Sequence, residues 1–196
     1  MVRCGLGASL HRSVIQAVLS FGVISRALTM SDDLLFKNRY RIPSSRLAGW
    51  GYQWDGIYSI TLRTRERVCW FGEVRRGQVL LSPVGQVVAE EWEKIPLSHP
   101  RVSLDAWVVM PDHMHGLLIF QGDPRDEPQK PRHLLAQSLG AVVGQFKSEA
   151  TKRIWRNLRQ RSFAWQPRFY DSIVRDTTHL ENLREYIRTN PTRWKT

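Results

Sequence analysis

Two apolar β-type runs meet at a Pro-Asp pair near the middle of this chain, and that junction restricts the fold more than any other feature. Val102 to Met110 has the pattern of a strand, Pro111-Asp112 makes a tight turn, and His113 to Phe120 returns beside it. An antiparallel pair this apolar needs a sheet around it and a layer packed over it. The returning run opens with His113 and His115. Alternate residues of a strand share a face, so both imidazoles point the same way, roughly 7 Å apart at Cα. Met114 then points the opposite way, toward a core. Two neutral imidazoles so placed can ligate one metal ion. The pattern is weak alone, because strand histidines with no ligand role are the commoner outcome.

The flanking sequence predicts a mixed order of elements. Ile57 to Arg63 alternates and carries β-branched residues, so it reads as a strand. Val68 to Val74 and Gln78 to Ser82 flank Arg75-Arg76-Gly77 as a hairpin. Val84 to Ile95 has helical apolar spacing and is expected to end before Pro96. His133 to Arg156 reads as the longest helix, with Leu135, Leu139, Val142, Val143, Phe146, Ala150 and Ile154 on its apolar side. Phe163 to Phe169 is aromatic and extended. A last helix is expected from Thr177 or Thr178 to about Asn190, stopping at Pro191. This order fits the α+β class, one antiparallel sheet with helices packed on it.

Length and charge narrow the function. The 196 residues suit one domain, and 29 Lys+Arg against 18 Asp+Glu give +11 and a pI near 10.3. From Thr151 to Thr196 eleven basic residues face four acidic ones. A polyanion is the implied partner, nucleic acid first and anionic lipid second, and interleaved aromatics favour nucleic acid. Two cysteines, Cys4 and Cys69, form neither a disulfide framework nor a Cys-rich zinc site, so a reducing cytoplasm is expected. No apolar stretch is long enough to span a bilayer. Val14 to Ile24 resembles the apolar part of a signal peptide. With Met30-Ser-Asp-Asp offering a natural start, residues 1–29 read instead as an upstream extension, or as a helix packed on the domain. Residues 30–56 form a basic N-terminal arm and 57–196 the domain proper. In that arm Arg39 and Arg41 are candidates to reach nucleic acid. Lys147, Lys152 and Arg153 are candidates to follow its backbone from the long helix. For each of them a solvated charge is at least as good a reading.

Tyr186 and Asn190 are one helical turn apart and share a face. If that face packs beside the histidines, Asn190 adds an amide oxygen to a metal site and Tyr186 a phenol next to it. Open metal positions would take a phosphate oxygen, and a hard divalent ion, Mg²⁺ or Mn²⁺, suits phosphate. A tyrosine can serve as covalent nucleophile and conserve bond energy for rejoining. Spacing alone leaves the alternatives open: Tyr186 as a packing residue, and Asn190 as an ordinary helix end before proline.

Leu183-Arg-Glu-Tyr-Ile-Arg-Thr-Asn-Pro191 resembles the tyrosine helix of the single-tyrosine transposases of bacterial insertion sequences, particularly the REP-associated tyrosine transposases. Ala106 to His115 is similar to their His-hydrophobic-His segment, Trp165-Gln-Pro-Arg-Phe-Tyr-Asp171 to the segment before their last helix, and Phe146-Lys-Ser148 to part of their long helix. Arg39-Tyr-Arg-Ile-Pro43 and the Ile57 strand fit a common subgroup. The likeness runs from about Arg39 to Arg193. It implies a ferredoxin-like HUH endonuclease domain that nicks single-stranded DNA at or near hairpins in a bacterial cytoplasm, at the nucleoid. His113, His115 and Asn190 would be metal ligands. Tyr186 would form a 5′-phosphotyrosine and free a 3′-hydroxyl, with Tyr170 a competitor for that role. Monomer and homodimer both remain open. So do a hairpin-binding protein that no longer cuts and a metal-dependent phosphohydrolase using water.

Overall fold

A computed structural model describes residues 55–121 and 138–194. Its centre is a four-stranded antiparallel sheet built from β1 (Gly56–Arg63), β4 (Val102–Val109), β5 (His113–Phe120) and β6 (Tyr170–Ile173), in the order β4-β5-β1-β6. A hairpin, β2 (Gly72–Arg75) and β3 (Gln78–Leu81), follows the first strand. The crossover helix α1 (Pro83–Glu93) and a short helical turn α2 (Ile95–Ser98) lead into β4. Helix α3 (Leu139–Asn157) lies between β5 and β6, and α4 (Thr177–Arg193) closes the fold. Setting the hairpin aside, the sequence β-α-β-β-α-β with its first and third strands central is the ferredoxin-like arrangement expected above.

Strand periodicity sorts the core into two layers. Tyr58, Ile60 and Leu62 of β1, with Met114, Leu118 and Phe120 of β5, face α1 and α3 through Val88, Trp92, Val142, Phe146 and Ile154. Ile57, Leu117, Ile119, Ala106 and Val108 face the other way, toward Leu180 and Ile187 of α4 and toward Val79 of the hairpin. Histidines 113 and 115 belong by parity to this second face. Gly116 lets the sheet approach α1 closely, since a Cβ there would lie 2.4 Å from Trp92.

Several boundaries depart from the sequence expectations. β6 was not predicted: Tyr-Asp-Ser-Ile is short and polar, and it becomes a strand only because β1 offers it a free edge. α4 does not stop at Pro191 but runs to Arg193. Pro191 forfeits one N–H, yet it is buried, and Thr192 Oγ1 donates to Thr189 O at 2.8 Å across the turn. α1 ends at Glu93, before the predicted Ile95, and Pro96 sits within the short turn α2, where early proline is tolerated. The first hairpin strand begins at Gly72 rather than Val68. α3 begins at Leu139 behind the Ser138 cap, and residues 133–137 of the predicted helix lie outside the described residues. So do the 1–29 extension and the basic arm through residue 54. Among the described residues no helix is long and apolar enough to cross a membrane.

Candidate active site

The two histidines open β5 in the middle of the sheet, with ring centroids 4.8 Å apart. Each has its Nδ1 engaged. His115 Nδ1 lies 2.8 Å from Thr61 Oγ1, on the residue directly opposite it in β1. His113 Nδ1 lies 2.5 Å from Asp112 Oδ1. Burial, more than any neighbour, pushes His115 down to about 3, with the charges of His113 and Arg63 adding to it. Burial also holds His113 below its ordinary value, outweighing the opposite pull of Asp112. Both rings are therefore neutral at neutral pH and carry one proton each. Placing that proton on Nδ1, as a donor to Thr61 or Asp112, leaves both Nε2 atoms bare, the tautomer that ligates metals.

Asp112 is itself held in place. Arg67 Nε donates to its Oδ2 at 2.8 Å, and Thr64 N and Oγ1 donate to its backbone carbonyl at 2.9 and 3.0 Å. Burial alone would push the Asp112 carboxyl up, but hydrogen bonds and charge from His113 and Arg67 outweigh it and hold it below the ordinary range. Arg67 reaches this carboxylate from a left-handed backbone, φ 56°, next to Glu66 at φ 57°. Such conformations cost on the order of 1–2 kcal/mol per residue, and the ion pair to Asp112 helps to offset them.

Helix α4 brings the remaining groups. Its N-cap Asp176 accepts from His179 N at 2.7 Å, and Arg184 forks onto Asp105 at the β4 bulge, with Nη2 donating to Oδ2 at 2.6 Å. The helix then runs past the histidines with Tyr186, Asn190 and Trp194 spaced one turn apart. Tyr186 rests on His115, with centroids 5.2 Å apart and its hydroxyl 3.5 Å from Nε2, at the outer limit of a hydrogen bond. Trp194 rests on His113 with centroids 5.9 Å apart. Asn190 lies between these two contacts and is buried. Among the described residues no three His, Cys, Asp or Glu side chains converge as a metal site. Two neighbouring imidazoles suit a divalent ion with open positions, and Asn190, on the helix that passes them, is a candidate for a third ligand.

The other expected residues are elsewhere. Lys147, Lys152 and Arg153 lie on α3, which covers the sheet face opposite the histidines. Lys147 Nζ donates to the carbonyls of Gln166 and Arg168 at 2.9 and 3.2 Å, and burial lowers its pKa. It thus holds the segment that leads into β6. Lys152 pairs with Glu149 at 2.8 Å, and Arg153 with Glu90 and Glu91 of α1. Arg39 and Arg41 lie outside the described residues. Tyr170 is 53 % exposed on β6, opposite Thr61, and it is Tyr186 that touches a histidine. The sequence reading missed Thr61, Arg67, Asp112 and Trp194. Asp112 could have been suspected from its place beside a candidate ligand, and Trp194 from the four-residue step that joins Tyr186 to Asn190. Thr61 and Arg67 carried no such signal.

Comparison with known proteins adds the family. An uncharacterized protein of Haemophilus influenzae is 32% identical over 162 residues, which span 78% of this chain and 89% of that one. A structure of a REP-associated tyrosine transposase bound to a REP hairpin is similar with a TM-score of 0.49 and 21% identity, over 75% of this chain and 71% of that one. The family model described as "Transposase IS200 like" matches residues 67–190, from the Arg67 turn through α4 to Asn190. The chain belongs to the IS200-like transposase family.

Proposed function

We propose that this transposase cuts and rejoins single-stranded DNA through a covalent link to Tyr186, acting at hairpin-forming sequences. The carrying observation is the Tyr186 hydroxyl 3.5 Å from His115 Nε2, on a helix that carries Asn190 one turn later and ends with Trp194 on His113. His113, His115 and Asn190 would hold the divalent ion, Mg²⁺ or Mn²⁺. When bound, that ion supplies the positive charge that polarises the scissile phosphate. Asp112 and Thr61 keep each imidazole turned with its bare nitrogen toward the helix. The Tyr186 oxygen attacks phosphorus, the P–O3′ bond breaks, and the departing 3′ oxygen takes a proton to become a hydroxyl. The phenol proton passes to water, which reaches this side chain because it is 41 % exposed. The product keeps a phosphodiester-grade bond between Tyr186 and the 5′ end, so a second 3′-hydroxyl can reverse the step on another strand.

The surplus of positive charge supports a nucleic-acid substrate, and binding should weaken with salt by a log–log slope of about −0.7 per phosphate contacted on a single strand. The test is incubation with single-stranded hairpin oligonucleotides and Mn²⁺, followed by denaturing electrophoresis. A protein–DNA band that survives denaturation and vanishes in Tyr186→Phe is expected. Persistence of the band in Tyr186→Phe would overturn the nucleophile. Cleavage without any band would point to water as nucleophile.

A further inference from the structure

β6 is the edge of the sheet, and its pairing with β1 sets Tyr170 in a row with the active site. Tyr170 lies directly opposite Thr61, and Thr61 directly opposite His115. Residues opposite one another in antiparallel strands share a face, so the Tyr170 side chain emerges on the histidine side of the sheet. Two strand spacings put its Cα about 10 Å from that of His115. Arg63, opposite His113, places its guanidinium 5.2 Å from the centre of the Tyr170 ring. A tyrosine with one side on an arginine, and half its surface in water at a sheet edge, is poorly explained by packing alone. The chain also invests in holding it there. Lys147 ties the carbonyls of residues 166 and 168 to α3, Gln166 N bonds Arg63 O at 2.8 Å, and Arg168 takes a left-handed φ of 65° just before the strand.

We propose that Tyr170, backed by Arg63, is a stacking platform for an unpaired nucleobase of the DNA strand whose phosphate lies at the histidines. The occupant is a base of single-stranded DNA, because a ring face accepts any base while the adjoining guanidinium favours the phosphodiester that follows it. A blunt duplex keeps its bases stacked and offers none to the ring. This inference rests on the proposed function, and extends it by saying where the strand leaves the site and what holds it.

The test uses the full chain carrying Tyr186→Phe, so that the DNA stays whole, and two oligonucleotides. One is a hairpin with a single-stranded extension bearing 2-aminopurine at successive positions, and the other is the same hairpin with a blunt end. With Tyr170 intact, the fluorescence of 2-aminopurine is expected to be quenched at one position of the extension. Tyr170→Ala should lose that quenching and weaken binding of the extended hairpin roughly 5- to 100-fold. Binding of the blunt hairpin should stay within about 2-fold, since its phosphate contacts are untouched. Tyr170→Phe, which keeps the ring, should retain both signals. Unchanged affinity and quenching in Tyr170→Ala would overturn the platform alone. Equal losses in Tyr170→Phe and Tyr170→Ala would overturn it too, because the hydroxyl and not the ring would then matter. Failure of the parent chain to bind either oligonucleotide would overturn the proposed function and the platform with it.

Discussion

Asp112 shows how much of the candidate site rests on residues that hold the histidines in place. In sequence it reads as the second half of a Pro-Asp turn, a common place for aspartate. In three dimensions it is buried, takes the His113 Nδ1 proton in a hydrogen bond of 2.5 Å, and is tied by Arg67 on its other oxygen. That leaves His113 one orientation and one tautomer. Asp112→Asn keeps the shape but not the charge, so the ring loses its fixed partner. We expect Mn²⁺ affinity, followed by calorimetric titration, to fall by about 10- to 100-fold. Unchanged affinity would remove Asp112 from the site's support. That His113 and His115 share a face was legible from strand parity alone. The partner of His115 was not, because Thr61 reaches its Nδ1 from 54 residues away in the chain.

Among the elements, α4 carries Tyr186 and Asn190 with little hydrophobic burial of its own. Only Leu180, Ile187, Asn190 and Pro191 are buried along its length. Its position on the sheet depends on the fork of Arg184 onto Asp105, a pair mostly shielded from water. Arg188, one turn later, forms an exposed pair with Glu185 of the same helix. Arg184→Ala should therefore destabilise the protein by about 1–3 kcal/mol and displace Tyr186 from His115, cutting adduct formation. Arg188→Ala should change stability by less than about 0.5 kcal/mol. Urea unfolding of the two variants beside the adduct assay separates them, and equal effects would remove the anchoring role. The helix itself was readable from the run Asp176-Thr-Thr-His-Leu that opens it. Its passage through Pro191 was not, since what holds the final turn is burial of that ring and the Thr192 hydroxyl. β6 was unreadable for a related reason: four mostly polar residues become a strand by borrowing the edge of β1.

At the scale of the whole molecule, formal charge overstates what is available to DNA. Arg67, Arg153, Arg184, Lys94 and Lys152 are all spent on carboxylates of this chain. One such cluster joins the two crossover helices: Glu91 of α1 takes Lys94 at 2.7 Å and Arg153 of α3 at 2.9 Å. Burial pushes the Glu91 carboxyl up, but Lys94 and Arg153 overcome it and hold it below its ordinary value of 4.5. A group whose pKa is lowered by folding stabilises the fold above its unfolded value, and that stability is lost as pH falls through the folded one. The stability gap between the parent chain and Glu91→Gln should thus be constant near neutrality and shrink below about pH 4.5. Thermal unfolding across that range checks it, and a gap independent of pH would remove Glu91 from the account. Taken alone, the sequence determined the α+β class, the turn at Pro111-Asp112, the shared face of His113 and His115, and the shared face of Tyr186 and Asn190. All of these follow from periodicity within a single element. Only the tertiary structure decided that the two faces meet, that Lys147, Lys152 and Arg153 serve the opposite layer, and that Tyr170 stands at an edge in line with the site. Those facts depend on which strands pair and which layer each helix covers, and pairing across 50 to 80 residues leaves no local trace in the sequence.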